Sequence, residues 1–197
     1  MDGLIPVILA SLALSGSPGP NTLSLAAVGA AFGTRGGQAY MWGLNLGMVG
    51  VTCLVGTGIA GLILSLPGVT PIATGLAAVY FLYLAYKIAT APPGFQRQSV
   101  EAAPPPRDGV LLSMVNPKAY AAVAAVMAGH SILPSTVWVD QAVKGIVFLS
   151  VVLVVNITWL SLGAALTSHL QDPKRGRIAN IVFAVLLLVS VGSMLFL

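Results

Sequence analysis

Ser17-Pro18-Gly19-Pro20-Asn21 lies in the middle of a run, residues 3–34, that contains no charged side chain. An apolar run of this length exceeds the roughly 20 residues that a helix needs to cross a ~30 Å hydrocarbon core, so it predicts a membrane span. Each proline lacks an N–H and clashes with the carbonyl four residues earlier, so the carbonyls of Leu14 and Gly16 lose their helical partners. The first span is therefore expected to be a helix broken near its middle.

The composition of the 197 residues fits a membrane protein better than a soluble one. The chain is 57% hydrophobic and only 7% charged, with a mean hydropathy of +0.94. Soluble domains carry about 25% charged residues, and disordered chains combine low hydrophobicity with high net charge. The net charge of +4 is not concentrated in a basic, aromatic surface, so we expect no nucleic-acid partner. These values predict an all-α polytopic membrane protein.

The spacing of the charges predicts six transmembrane helices. Residues 36–86 are uncharged and hold two spans, which Leu66-Pro67-Gly68 divides because proline and glycine favour a turn. The helices are expected at about 4–30, 38–65, 70–88, 109–129, 141–166 and 177–196. The proline-rich stretch 89–108 is typical of an extended, solvated linker. The chain is thus one transmembrane domain, 1–197, with a first half at 1–88 and a second half at 109–197.

The loop cations predict the orientation. Arg35, Lys87, Arg97, Arg107, Lys174, Arg175 and Arg177 all fall in alternate loops, on one side of the membrane. Basic loops face the cytoplasm, so both termini are expected outside. Six helices with both termini on one side make two halves of three, and an odd number inverts the second half relative to the first. Inverted repeats of this kind are common among secondary transporters.

The second half also begins with an interrupted helix, at Asn116-Pro117-Lys118. Pro117 frees the carbonyl of Ser113, as the prolines of helix 1 do for their own carbonyls. Paired interruptions in corresponding helices point to a binding site near the membrane midplane. By the expected boundaries, however, the two interruptions lie at different depths. Lys118 either lines this site or extends its side chain to the cytoplasmic interface, and its position alone does not decide.

Two further asparagines lie within spans, Asn45 in helix 2 and Asn156 in helix 5. Each either forms a hydrogen bond between helices or contacts a ligand. Gly43-x-x-x-Gly47 is a close-packing motif that could serve contacts within the chain or between copies of it.

The ionisable residues argue against catalysis and metal binding. No Asp or Glu lies inside an expected span, and Asp140 and Lys144 are expected to form an exposed i,i+4 pair that only supports its own helix. His130 and His169 lie near opposite span ends, and Cys53 is the single cysteine, so no metal site is expected. We therefore predict no enzyme activity, no catalytic residue and no cofactor. If transport is coupled to protons, the carrier is Lys118, a terminal carboxylate, a histidine or the substrate itself.

Several motifs, in order along almost the whole chain, resemble the LysE family of amino-acid exporters, also called the homoserine/threonine-resistance family. The matching stretches are Pro18-Gly19-Pro20-Asn21-Thr22-Leu23, Arg35-Gly36-Gly37, Gly43-x-x-x-Gly47, Ala78-Val79-Tyr80-Phe81-Leu82-Tyr83-Leu84, Asn116-Pro117-Lys118-Ala119 and Trp159. Two departures are Val110, where the family commonly has phenylalanine, and residues 126–130, where it commonly has a stretch ending in L-P-x-F.

The resemblance implies a secondary transporter in the bacterial inner membrane that exports amino acids or related metabolites by proton antiport. Alternating access would expose a site to each side in turn. The expected site residues are Ser17, Pro18, Gly19, Pro20, Asn21, Asn116, Pro117, Lys118, Asn45 and Asn156. The expected partners are the substrate, protons and lipid. The sequence leaves open whether the chain forms a homo-oligomer. A small-solute channel or a non-transporting membrane scaffold is the alternative.

Overall fold

The structure is a computed structural model, and it describes residues 3–90, 103–133, 136–166 and 173–195. Every regular element in these ranges is a helix. The helices are α1 (Leu4–Gly16), α2 (Pro20–Gly56), α3 (Ile59–Leu64), α4 (Val69–Ala89), α5 (Pro106–Val115), α6 (Pro117–Ala128), α7 (Val137–Leu166) and α8 (Pro173–Leu195). Most of the expected linker and His169 lie outside the described residues.

Prolines set the boundaries of the broken helices. A residue that precedes proline is disfavoured in the helical region, because its backbone meets the proline ring. Ser17 (φ −65°, ψ 148°), Gly19 (φ −174°, ψ −179°) and Asn116 (φ −81°, ψ 107°) are accordingly extended. Pro20 and Pro117 then begin α2 and α6, since a missing N–H costs little at a first helical position. At Asn116 the axes of α5 and α6 diverge by 64°.

A second kind of break lies inside α2, at Gly33. Its backbone (φ 70°, ψ 180°) is in a region that only glycine occupies readily. The Tyr40 hydroxyl donates to Ser24 Oγ at 3.1 Å, although sixteen residues of straight helix would separate them by about 24 Å. The segments 20–32 and 34–56 therefore fold back against each other as an antiparallel pair.

By length and hydropathy, two of the described helices are long and apolar enough to cross a membrane: α2, taken as one helix across the break at Gly33, and the part of α7 from Val137 to Ala165. The bent pair α5 and α6 can form a third span. These helices fit a multi-pass membrane protein, while six spans in two inverted halves stay a prediction. The expected turn at residues 66–68 does separate α3 from α4, and Gly68 has a φ of 81° there.

Glycines bring the central helices into backbone contact. A Cβ atom at Gly43 would overlap the carbonyl of Pro106 on α5, and one at Gly109 would lie 2.8 Å from the backbone nitrogen of Leu44. On the other side of α2, a Cβ at Gly29 or at Gly163 would overlap the facing backbone of α7 or α2. The Gly43-x-x-x-Gly47 motif therefore serves packing within the chain, against α5.

The expectation that Asp140 and Lys144 form an exposed pair is wrong. The two residues are 5% and 2% exposed, and their charged groups lie 3.0 Å apart. The expected helix 141–166 begins earlier, at Val137, which places Asp140 inside α7. Asp140 Oδ1 accepts the backbone N–H groups of Ile132 (2.6 Å) and Leu133 (2.8 Å), so the loop after α6 folds over the pair.

Lys144 completes the connection by donating to the carbonyl of Met127 at 3.0 Å. Together the two side chains bind the end of α6 and the following loop to α7. The sequence spacing could not reveal this, because the partners that bury the pair are backbone groups at the end of another helix.

Removing both members of this pair should destabilise the protein by less than the sum of the two single removals. Asp140→Asn or Lys144→Met alone should lower the free energy of unfolding by about 3–5 kcal/mol, because each leaves an uncompensated buried group. Unfolding in detergent, followed by circular dichroism, measures the change. The double variant should lose less than the sum of the single losses, whereas strictly additive losses would contradict the coupling. Lys174→Met, at an exposed position on α8, is the matched control.

Candidate functional site

The first part of the site is the break expected in helix 1, which lies between α1 and α2 at residues 17–19. Two backbone carbonyls that the prolines free lie beside it. The carbonyl of Gly16 accepts the indole N–H of Trp159 at 3.2 Å, and that of Leu14 accepts the Ser17 hydroxyl at 3.1 Å. The break therefore leaves these groups bonded to protein, as hydrocarbon surroundings require. Their partners come from α7 and from the break itself.

The two breaks meet through an amide pair. Asn116 Nδ2 donates to Asn21 Oδ1 at 2.9 Å, and Asn21 Nδ2 donates to Ser113 Oγ at 3.0 Å. The Ser113 hydroxyl in turn donates a hydrogen bond to the carbonyl of Leu44 at 2.9 Å. Asn116 Oδ1 caps α6 by accepting the Lys118 N–H at 3.1 Å. Two residues that are 95 positions apart thus join the interrupted helices of the two halves.

Lys118 makes a second connection between the breaks. Its ammonium donates to the Ser17 carbonyl at 2.7 Å, the Ser17 hydroxyl at 2.8 Å and the Pro18 carbonyl at 3.0 Å. An ammonium has three N–H groups, and three acceptors surround this one. The side chain passes along Gly19, where a Cβ would lie 2.8 Å from Nζ and 2.9 Å from Cδ. Lys118 therefore points to the break of helix 1.

The other two expected asparagines contact each other. Asn156 Nδ2 donates to Asn45 Oδ1 at 2.9 Å, and Asn45 Nδ2 donates to the carbonyl of Met41 at 3.0 Å. Asn156 is 2% exposed. The pair is a hydrogen bond between α2 and α7, and its Asn156 end also reaches the cavity beside the breaks.

A cavity of about 40 Å³ lies next to both breaks. Its walls come from α1, α2, α6 and α7 together with Gly19 and Asn116. The lining residues are Leu14, Ser15, Gly19, Pro20, Asn21, Thr22, Met48, Asn116, Lys118, Ala119, Ala122, Phe148, Val152 and Asn156. Of the expected site residues, the structure thus places six at the cavity: Gly19, Pro20, Asn21, Asn116, Lys118 and Asn156. Ser17, Pro18, Pro117 and Asn45 are not among the residues that line it.

Comparison with known families decides what kind of protein carries this cavity. The model of the LysE type translocators matches residues 12–197, which include every helix from the break of helix 1 onwards. The chain belongs to the LysE type translocator family. Neither a curated protein sequence nor a solved structure is significantly similar to it. The family resemblance expected from the motifs is confirmed.

Membership makes this LysE type translocator a membrane transporter of small solutes. Members of the family are transporters and not enzymes, which is consistent with the prediction of no enzyme activity. Among the residues that the structure describes, no three His, Cys, Asp or Glu side chains group as metal ligands would. The chemistry to be explained is therefore recognition and passage of a solute.

Some residues of the candidate site were missed by sequence reasoning. Phe148, Val152 and Asn156 are spaced four residues apart, so they share one face of α7 and all line the cavity. Counting back from Asn156 in steps of four would have found the other two. No local signal pairs Trp159 with the carbonyl of Gly16, because the two are 143 positions apart.

The lining combines one positive charge with amide groups and apolar surface. Lys118 is the charged side chain in the wall, and no Asp, Glu or His lines it within the described ranges. Asn21, Asn116 and Asn156 supply amides, while Leu14, Met48, Phe148 and Val152 supply apolar surface. The first N–H groups of α2, which have no partner within the helix, add positive potential at the same place.

Gly19→Ala should impair the translocator by displacing Lys118. The backbone of Gly19 is extended and suits any residue, so the effect comes from the added methyl group meeting Nζ and Cδ. We expect transport to fall at least tenfold while the protein stays folded, measured by solute counterflow and by thermal unfolding. Gly61→Ala is the control, because a Cβ there meets nothing within 4 Å. If Gly19→Ala and Gly61→Ala transport equally well, transport does not depend on the observed position of the Lys118 side chain.

Proposed function

We propose that this LysE type translocator exports amino acids or related small metabolites across the bacterial inner membrane, by proton antiport with alternating access. The observation that carries the proposal is the meeting of two interrupted helices at one cavity, through Asn21–Asn116 and Lys118–Ser17. Discontinuous helices that bring backbone ends to a common site are the way many secondary transporters bind solutes.

The packing supports six spans in two inverted halves. The first broken helix, α1 with segment 20–32 of α2, contacts α7, while the second broken helix, α5 with α6, contacts α2. The last helices of the two halves, α4 and α8, contact each other. Each broken helix therefore packs against the middle helix of the other half, as a two-fold relation would require. With the basic loops inside, both termini lie outside.

An amino acid fits the chemistry of the lining. Its carboxylate suits the positive potential of Lys118 and the first turn of α2, while its ammonium can bind to amide oxygens of Asn21, Asn116 or Asn156. A small apolar side chain can contact Met48, Phe148 or Val152. The cavity of about 40 Å³ is far smaller than the roughly 300–1,000 Å³ of pockets that enclose drug-sized ligands, so the helices must separate to admit a solute.

Lys118 is the titratable side chain of the described wall and is therefore the proposed proton carrier. Its ammonium has no carboxylate partner among the described residues. The charged form is stabilised by hydrogen bonds to neutral oxygens. Loss of that proton would remove the charge and one of the three donors, and so weaken the connection that Lys118 makes between the two breaks. Protonation and movement of the halves would in this way be linked.

Counterflow into proteoliposomes tests the function. Purified protein is reconstituted with a pool of unlabelled amino acids inside, in choline buffer without Na⁺ or K⁺, and labelled amino acids are added outside with and without a pH gradient. A carrier accumulates one or a few of them, and the gradient increases the accumulation. A channel only equilibrates them. If folded protein takes up no amino acid, the proposed substrate class is wrong. Other metabolites are then tested in the same assay, and a failure of these as well would favour a non-transporting scaffold.

Lys118→Ala should abolish transport in the same choline buffer and leave expression intact. The variant removes both the charge of the wall and the connection to Ser17 and Pro18. Lys174→Ala, at an exposed position on α8, should transport like the unmodified protein. A fully active Lys118→Ala variant would remove Lys118 from the transport mechanism.

A further inference from the structure

The break of helix 1 presents three neutral oxygen atoms to one cation. The Ser17 carbonyl, the Ser17 hydroxyl and the Pro18 carbonyl lie 2.7, 2.8 and 3.0 Å from Lys118 Nζ. The ion pairs among the described residues are Arg107–Asp108 and Lys144–Asp140, so Lys118 has no acidic partner there. Its charge is held by hydrogen bonds to neutral oxygens, two of them from the backbone.

These oxygens are available because the chain is interrupted where it is. In a continuous helix the carbonyls of Ser17 and Pro18 would accept the N–H groups of Asn21 and Thr22. The extended residues Ser17 and Gly19 prevent that arrangement. The Thr22 hydroxyl reaches the Ser17 carbonyl only at 3.4 Å. The break therefore forms a cluster of partial negative charges, which the Lys118 ammonium meets.

Hard oxygen ligands of this kind suit small monovalent cations as well as an ammonium. In transporters with discontinuous helices, unwound backbone carbonyls coordinate a coupling ion such as Na⁺. Here the position is taken by a side chain that arrives from the opposite half of the protein, 101 positions away from Ser17. Gly19 leaves room for that side chain, because any Cβ there would meet Nζ and Cδ.

We propose that the Lys118 ammonium is a tethered cation, which fills a monovalent-cation site made by the Ser17 carbonyl, the Ser17 hydroxyl and the Pro18 carbonyl. The unmodified protein consequently needs no free Na⁺ or K⁺, and removal of the side chain opens the site to a mobile cation. The site itself is independent of the proposed function; only the transport consequence rests on it.

Thermal unfolding of purified protein in detergent tests the site without any transport. Lys118→Ala is compared in choline chloride, NaCl, KCl and n-propylammonium chloride, the last of which replaces the lost part of the side chain. At a cation concentration about ten times Kd, Tm should rise by on the order of 3 °C in at least one of the last three salts. The unmodified protein and Lys174→Ala should show no such rise.

A second substitution identifies the ligands. Ser17→Ala removes the hydroxyl, so the double variant Ser17→Ala, Lys118→Ala should lose at least half of the cation-dependent rise in Tm. Ser65→Ala replaces an exposed serine that bonds only to its own helix, and it is the control in the same background. An undiminished rise in the Ser17→Ala double variant would overturn the assignment of the site.

Two outcomes of the unfolding experiment overturn the proposal directly. The first is that none of the three cations changes the Tm of Lys118→Ala, or that this variant is unfolded in every salt. In either case no mobile cation substitutes for the ammonium. The other is a saturable Na⁺ or K⁺ dependence of the unmodified protein, since its site should already be filled.

Counterflow separates this proposal from the proposed function. If the unmodified protein transports amino acids in choline buffer, Lys118→Ala should regain part of that transport when Na⁺ replaces choline. Absence of transport by the unmodified protein, together with the rise in Tm of the variant, would refute the proposed function and leave the cation site standing. Transport by the unmodified protein, without any cation-dependent rise in the Tm of Lys118→Ala, would refute the cation site and leave the proposed function standing.

Discussion

Backbone groups that cannot be bonded within their own helix govern the arrangement of this protein. Hydrocarbon offers no hydrogen bonds, so each carbonyl freed by Pro18, Pro20 or Pro117 must find a partner in the protein. The carbonyl that Pro117 frees, at Ser113, accepts the N–H of Asn116 at 3.3 Å. At the break of helix 1, the carbonyl of Gly16 accepts from Trp159, that of Leu14 from Ser17 and that of Ser17 from Lys118. Two of these three come from the second half of the chain. The interruption of helix 1 thus requires the second half to lie against it.

The same requirement explains why polar side chains gather where they do. Asn21 and Asn116 both follow or occupy a break, and each would be costly to bury without a partner. With Ser113 and the backbone N–H of Lys118 as further partners, each amide oxygen and each amide nitrogen of the pair has a hydrogen bond. Glycines at positions 29, 43, 109 and 163 let the backbones of α2, α5 and α7 approach closely enough for these short side chains to meet. Close packing and polar recognition therefore depend on one another here.

The sequence predicted the breaks because their cause is local. A proline acts on the residue before it and on the carbonyl four residues back, so Ser17, Gly19 and Asn116 could be placed from their neighbours alone. Half of the expected difference in depth came from the start expected for helix 4. That helix begins at Pro106 and not at residue 109, so the segments before the breaks contain 13 and 10 residues. Their lengths differ by only about 4.5 Å.

What the sequence could not predict depends on distant parts of the chain. Nothing near Asp140 indicates that the loop after α6 folds over it and buries it with Lys144. The choice between the two positions of Lys118 depended on whether the break of helix 1 lay within reach of its side chain. Sequence spacing limits which residues share a helix face, but it does not say which faces meet.

The contacts around the cavity differ in how easily they can be parted. The glycine contacts between α2, α5 and α7 are backbone against backbone, and a solute that separated them would have nothing to put in their place. The bonds of Lys118, Asn21 and Asn116 join polar groups that a solute can also offer, so each bond lost to the protein can be regained with the solute. Opening along the breaks therefore costs less than opening along the glycine contacts. In the proposed mechanism the two halves would therefore separate along the breaks, where hydrogen bonds are exchangeable, and keep their helix packing elsewhere.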